Sequence, residues 1–431
     1  MALNCDRIEI DKGIALNLIP TDKFKSNILS FYFTLPLDRR EVTSNALLPL
    51  VLRQGTRELT TSLKIQRRLE DLYGCNLSVS VDKKGETHAI RFTIEGPKNS
   101  YIGDSNYIKG MIGLLKSIIY DPYLEDGTFS QRYIEQEKEI LKRLIEGKIN
   151  DKRRYAIYRC IEEMCRDEKF GLYPLGYIED LEDIEARTLY EHYMKLLYRA
   201  PLEIFYVGDY DDELKQFMID DLRFAKDDLI QNERELISKG SQTKNMVYED
   251  MDINQGKLVI GYRTGIPYED DLYNGLMVAS DILGGGPTSK LFRNVREAES
   301  LAYYIGTSIY RYKSIMMIDA GIDFDDFERV IEIIRCQIDA MKSGIFTNED
   351  IDISKKSIKA SMESIHDSAF LISEYFFSKV LTNDSRSLEE SIRDVEKVTR
   401  DEIMEASNDM NVDTIYFLRH SGDGGMDNGN Y

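Results

Sequence analysis

The sequence predicts an α+β protein of two tandem homologous domains, each an antiparallel sheet with helices packed on one face. Three observations predict it. Short runs alternating apolar and polar residues, the period of a half-buried strand, stand between longer runs of helical period. Their order in the first half of the chain recurs in the second. Part of the recurrence aligns without gaps: "EDIEARTLYEHY" matches "RDVEKVTRDEIM", and "LEIFYV" matches "DTIYFL". Ile184, Thr188 and Ile204 thus return as Val395, Thr399 and Ile415 at one constant offset.

The first domain is expected over 1–223. "RIEI" and "IALNLI" form a hairpin around Asp11, Lys12 and Gly13, and "NILSFYFTLP" is a buried strand. Helical patterns follow near 43–54 and 62–73. "NLSVSV" and "AIRFTI" then alternate on either side of "DKKGE". Leu77, Val79 and Val81 share one sheet face, and Ile90, Phe92 and Ile94 share another. Helical patterns fill about 106–170, and "EIFYVGD" is a further strand. Residues 224–255, rich in charge, Ser, Asn, Gln and Gly, read as a linker. The second domain, 256–420, repeats the order. It has a strand at "GKLVIGYRT", helices near 269–283 and 288–298, and a hairpin across "YYIGTSIYRYKSIMMIDAGI". Helices continue to about 408, ahead of a last strand at "TIYFL". The glycine-rich tail, 421–431, is expected to be disordered.

Composition narrows the function. The chain has 431 residues, 42% hydrophobic and 31% charged, enough for two cores. Its formal charge of −20 argues against nucleic acid or an anionic membrane as partner and favours basic peptides. No apolar run approaches membrane-spanning length, and "MALNCDRIEI" lacks the apolar core of a secretion signal. Five scattered cysteines point to free thiols in a reducing, cytoplasmic setting.

Two stretches invite a chemical reading. "DILGGGPTSKLFRNVREAES" has the glycines and Ser-Lys of a phosphate loop without the required spacing, so nucleotide binding is excluded. Gly284 to Gly286 instead give a tight reversal between two helices, the second opened by Pro287 and Thr288. "TLYEH" is one residue short of His-x-x-Glu-His, the helical zinc motif in which two imidazoles four apart bind metal and the glutamate activates water. The chain has only four histidines, His88, His192, His366 and His420, and His192 alone makes no site. Thr188-x-x-Glu191 and its repeat Thr399-x-x-Glu402 are better read as capping boxes.

With the duplication in view, the chain resembles the insulinase/pitrilysin metallopeptidase family, in its small, processing-peptidase-like branch. "LGGGPTSKLFRNVREAESLAYY" is similar to that family's C-terminal signature, and the segment from "YPLGYIEDL" to "YVGDYD" to the close of its first domain. Active members carry His-x-x-Glu-His shortly before a Gly-Thr pair. Here that helix reads "ALLPLVLRQGT". By resemblance the two histidines fall on Ala46 and Leu50, the glutamate on Pro49, and a third ligand near Leu144. No metal site and no general base remain. This chain therefore carries no cofactor of its own, and peptide hydrolysis by it alone is not expected.

The signature in the second half is retained. The resemblance implies that Arg296 and Tyr303 reach the substrate. A guanidinium offers a fork of donors to carbonyls or carboxylate, and a phenol donates to the oxygen that gains charge. Their bland alternatives are a surface arginine paired with Glu297 or Glu299 and a packed strand tyrosine. The family resemblance also implies a partner: a homologous subunit with an intact zinc motif, the two sharing a peptide substrate, with a homodimer as the other arrangement. A second reading is a peptide-binding or scaffold protein without proteolytic role, similar to a bacterial insulinase-like group named for elongation factor P modification.

Overall fold

In the computed structural model, residues 3–104, 106–238 and 244–420 are described. The expected disordered tail lies outside them. Strands β1 (Asp6–Asp11), β2 (Ile14–Pro20) and β3 (Ser26–Pro36) open the chain, followed by helices α1 (Val42–Leu52) and α2 (Ser62–Asp71). Next come β4 (Asn76–Lys84), β5 (Thr87–Pro97), the short α3 (Asn99–Ile102) and α4 (Tyr107–Tyr120). A two-residue ladder, β6 (Leu124–Glu125) with β7 (Thr128–Phe129), precedes α5 (Gln131–Glu146) and α6 (Lys152–Met164). The half closes with α7 (Ala186–Arg199), β8 (Leu202–Gly208) and α8 (Asp212–Asp221).

The second half holds β9 (Asn245–Met251), β10 (Gly256–Arg263), α9 (Tyr273–Gly284), β11 (Ala302–Tyr310) and β12 (Ile315–Ile322). Helices α10 (Phe327–Lys342), α11 (Asn348–Glu363), α12 (Ala369–Thr382), α13 (Leu388–Lys397) and α14 (Arg400–Asn408) lead to β13 (Asn411–His420). Among the described residues no helix is long and apolar enough to cross a membrane.

The chain divides into two compact units. Unit 1 takes Met1–Gly147, Leu172–Arg234 and Glu363–Ser385, and unit 2 takes Lys148–Gly171, Glu235–Met362 and Arg386–Tyr431. Unit 1 has a six-stranded sheet in the order β1-β2-β8-β3-β5-β4, and unit 2 a five-stranded sheet in the order β11-β12-β10-β13-β9. Read from opposite ends, the two orders coincide strand for strand. β4, β5, β3, β8 and β2 correspond to β11, β12, β10, β13 and β9, with β1 the addition. Pairing is antiparallel except for β2 with β8 and β9 with β13, the same place in both units. The repeated residues keep register: Ile204 faces Phe31 and Ile415 faces Ile260. Phe31 therefore matches Ile260, and Tyr32 matches Gly261.

The expected α+β architecture holds, with additions. β9 lies inside the stretch expected as linker. Its side chains are exposed or half-buried throughout, so an edge strand with no fully buried position left little apolar signal. Leu77, Val79 and Val81 sit directly opposite Ile94, Phe92 and Ile90, so the two sets share one face rather than two.

Each sheet also carries one helix on its other face. In unit 2, Leu258, Ile260 and Tyr262 join the main core with α9, α10 and α14. The alternate residue Val259, with Met317 and Tyr416, packs on Cys160, Ile161 and Met164 of α6. In unit 1 the same face of β3 and β8, Ile28, Tyr32 and Phe205, packs on Ile372, Phe376 and Phe377 of α12. Each back helix thus comes from the half of the sequence that builds the other unit.

Candidate functional site

α1 carries Ala46, Pro49 and Leu50, the positions expected from the resemblance to match the family's zinc motif. Ten of its eleven residues are buried, which makes it a helix with no solvent face. Ala46 and Leu50 are among them, and Pro49 stands mid-helix, where it has no amide to give the Asn45 carbonyl. Leu144, on α5, is instead 48% exposed. The surroundings of α1 hold polar groups that the sequence did not single out. Asn45 is fully buried and bridges two imidazoles, with Nδ2 3.0 Å from His88 Nδ1 and Oδ1 2.7 Å from His192 Nε2. His88 Nε2 lies 3.0 Å from the Pro174 carbonyl, which can only accept, so this nitrogen carries the proton and Nδ1 accepts from Asn45. Burial pushes both imidazoles down to about 4, so the relay is neutral and its three hydrogen bonds run in one direction.

Glu137 of α5 is the other buried group here. It accepts from Gln54 Nε2 at 2.5 Å, with Arg53 at 3.9 Å, and its Oε2 has no hydrogen-bond partner. Burial raises its pKa while Arg53 and Gln54 oppose the rise. No signal in one sequence marks Asn45, His88, His192 and Glu137 as neighbours, because they come from four separate elements. Among the described residues no three His, Cys, Asp or Glu side chains are grouped so as to hold a metal ion.

The signature stretch of unit 2 is built differently. α9 ends at Gly284, where a Cβ would stand 2.6 Å from Thr307 Cγ2 and 2.8 Å from Thr307 N. The glycine is needed for the close approach of β11. None of Gly284, Gly285 and Gly286 has a left-handed φ, so the expected reversal does not depend on glycine freedom. Phe292–Glu297 winds as a π-helical turn, with the Ala298 amide bonded to the Arg293 carbonyl at 2.9 Å. Ser300 then adopts φ 57°, a left-handed conformation rare for a side chain of its kind.

In β11, Ala302 faces Ile322 and Tyr304 faces Gly321, so Tyr303 is the extra residue of a β-bulge. The consequence is visible at its ring. Tyr303 is 61% exposed, and its hydroxyl reaches only Asp323 Oδ1 at 3.4 Å. It is not the packed strand tyrosine of the bland alternative. Arg296 is exposed, with its guanidinium over the Phe292 ring at 4.9 Å. Glu299 pairs with Arg329 instead, at 3.6 Å. A π turn, a left-handed serine and a bulge within a dozen residues leave both side chains turned outward.

The family described as "Peptidase M16 inactive domain" fits residues 183–358. YmfF of Bacillus subtilis (strain 168), a probable inactive metalloprotease, is 36% identical over 414 residues, 94% of this chain and 96% of that protein. The chain belongs to the M16 peptidase family. It is an inactive M16-type homologue. The crystal structure of a conserved protein from Enterococcus faecalis V583 matches with a TM-score of 0.91 at 27% identity, over 98% of this chain and 100% of that one. A peptidase M16 inactive domain from Pseudomonas fluorescens matches with a TM-score of 0.79 at 15% identity, over 97% and 98% of the two chains, a likeness of fold alone.

The capping boxes of the M16 chain are one correct and one displaced. Thr399 caps α14 and forms the expected box with Glu402. In α7 the N-cap is Glu185, and Thr188 is the third helical residue answering it. Glu191 pairs with Arg187 at 3.1 Å. The first helix starts three residues earlier than its repeat, where Glu396, the match of Glu185, lies inside α13 and Thr399 opens the next helix.

Proposed function

We propose that this M16 homologue is the non-catalytic subunit of a heterodimeric metallopeptidase. It presents Arg296 and Tyr303 to a peptide bound by a homologous chain that carries His-x-x-Glu-His and the zinc. The observation that carries the reading is the bulge at Tyr303, which exposes a phenol in a strand that would otherwise have packed it. A bulged, exposed tyrosine beside an outward arginine matches the task of meeting a substrate more closely than the task of holding a core. Arg296 would grip a carbonyl or carboxylate of the peptide, and the Tyr303 hydroxyl would donate to the developing oxyanion. β4, an edge strand of unit 1, offers unpaired backbone groups to an extended peptide. The charge of −20 favours a basic one.

The test begins with native purification of the chain together with whatever binds it stoichiometrically. The expected result is a partner with His-x-x-Glu-His, one zinc per pair, and peptidase activity that neither chain shows alone. Tyr303→Phe in that complex lowers turnover on the order of a hundredfold with little change in peptide binding, the usual loss for one oxyanion donor. An unchanged rate removes Tyr303 from the mechanism. A partner without the motif, and no zinc, leaves the scaffold or peptide-binding reading in its place.

A further inference from the structure

The two back helices pose a question of self-recognition. Residues 148–171 leave the sequence of unit 1 to pack in unit 2, and residues 363–385 leave unit 2 to pack in unit 1. Both helices are amphipathic and both sheets have apolar back faces. Docking of α6 on the sheet of its own half would close a shorter loop and so be entropically easier. Something must disfavour it.

The back faces differ in charge, and the difference is reversed between units. In unit 1 the sheet is basic and the helix acidic. Arg91 Nη1 of β5 and Lys84 Nζ of β4 each lie 2.8 Å from the Glu374 carboxylate of α12. Lys23, ahead of β3, meets Asp367, just ahead of α12, at 2.7 Å. Glu203 on the same face is neutralised within the sheet by Arg7 at 2.6 Å and accepts a hydrogen bond from Asn17 Nδ2 at 2.7 Å. In unit 2, along the length of α6, the sheet supplies the acids and the helix the bases. Asp319 of β12, 4% exposed, accepts two hydrogen bonds from Arg153 of α6, and Glu249 of β9 accepts from Arg159 at 2.9 Å. Beyond the end of α6 the polarity is that of unit 1, with Glu168 held between Arg263 of β10 and Lys313, both buried, so the reversal is confined to the length of the helix. The residue matching Arg263 in unit 1 is Thr34, which carries no charge.

Shape differs at the centre. Tyr32 stacks on Phe377 of α12 at 4.3 Å and bonds Ser373 and Glu374 through its hydroxyl. Its match, Gly261, lies where a Cβ would stand 2.6 Å from Met164 Sδ of α6. A helix shaped for one sheet meets a ring or a gap on the other.

We propose that these reversed ion pairs, together with the Tyr32/Gly261 contrast, are a recognition code that assigns each back helix to the sheet of the other half. With α6 on the sheet of unit 1, Arg153 and Arg159 face a surface carrying Arg91 and Lys84, and Met164 meets the Tyr32 ring. With α12 on the sheet of unit 2, Glu374 faces a surface carrying Asp319. Buried like charges and unpaired charges are among the costliest arrangements a fold can contain, so the wrong docking is rejected even though it is nearer.

The test inverts one half of the code in the full-length chain. Lys84→Glu, Arg91→Glu and Glu374→Arg together keep opposite charges paired in unit 1 but give both sheets acidic and both helices basic back faces. The expected result is an unfolding midpoint close to that of the natural chain. After dilution from urea, recovery of native monomer falls roughly threefold or more, the remainder eluting as misfolded or larger species. Adding Arg153→Asp and Asp319→Arg, which inverts the second half, restores recovery. That second pair alone must show the same loss, which keeps the test open should the triple variant fail to fold. Recovery like that of the natural chain in both partial inversions overturns the proposal.

Discussion

Unit 1 and unit 2 share five strands in one order and one parallel pair in one place, yet they have treated the corresponding chemistry in opposite ways. Unit 1 has closed its motif helix: α1 is buried all round, and the polar groups beside it satisfy one another through Asn45. Unit 2 has kept an irregular backbone, with a π turn and a bulge that hold Arg296 and Tyr303 outward. Where the resemblance sets the family's metal, this chain has leucine, proline and a neutral hydrogen-bond relay, and the helix serves as core.

If unit 1 has become core at α1, removing the relay must cost stability rather than change a binding property. Asn45→Leu leaves His88 Nδ1 and His192 Nε2 without the amide that each bonds, and each orphaned donor or acceptor costs about 1–3 kcal/mol. Denaturant unfolding should show a loss of roughly 3 kcal/mol, with circular dichroism of the native state unchanged. The same imidazoles set a pH limb. Their folded pKa values lie near 4, below the ordinary 6.5, so the unfolded chain binds more protons between those limits. Stability is therefore fully present above pH 6.5 and falls as pH drops toward 4. Asn45→Leu that is neutral at pH 7 would mean the relay is incidental, and the comparison would lose its first half.

Much of this architecture was legible in the sequence. Strands such as "NILSFYFTLP" and "AIRFTI" declare themselves by alternation, and the gapless match of Ile184, Thr188 and Ile204 to Val395, Thr399 and Ile415 carried the duplication. The family was legible through the resemblance of the signature stretch. Three features were not. β9 is an edge strand whose side chains are nearly all in contact with water, so it lacks the alternation that marks buried strands. The exchange of α6 and α12 is invisible because an apolar stripe says that a helix is buried and not which sheet buries it. The bulge at Tyr303 depends on a one-residue mismatch between two strands, a property of the pair and not of either.

Buried lysines sharpen the comparison next. Lys313 in unit 2 is fully buried, and Glu168 answers it at 2.7 Å. Lys226 in unit 1 is 7% exposed and has only the Leu197 carbonyl at 2.8 Å and the Phe33 ring at 5.4 Å. Burial pushes its ammonium down to about 7. The two should respond oppositely to the same change. Lys313→Met removes a charge-assisted bond and costs roughly 2 kcal/mol. Lys226→Met removes a poorly solvated cation and gains about 1 kcal/mol at pH 7. The natural chain should also gain stability as pH rises from about 7 to 10.5, because only the unfolded lysine stays protonated there, and Lys226→Met should remove that rise. Equal effects at the two lysines would show that pairing, not burial, is the wrong variable.

The smallest expected difference concerns the repeat itself. Thr188 and Thr399 match in sequence, but Thr399 is the N-cap of α14 and accepts from the Glu402 amide, while Thr188 is three residues inside α7 and returns a bond to Glu185. An N-cap hydroxyl is worth about 1 kcal/mol, and an N3 side chain that merely answers a cap is worth a few tenths. Thr399→Ala should lower the unfolding free energy by about 1 kcal/mol, and Thr188→Ala by a third of that or less. Glu185→Ala should restore the symmetry, since the cap of α7 lies in that carboxylate. If Thr188→Ala proves as costly as Thr399→Ala, the helix start has not moved between the repeats, and the duplicated segments are closer in structure than their caps imply.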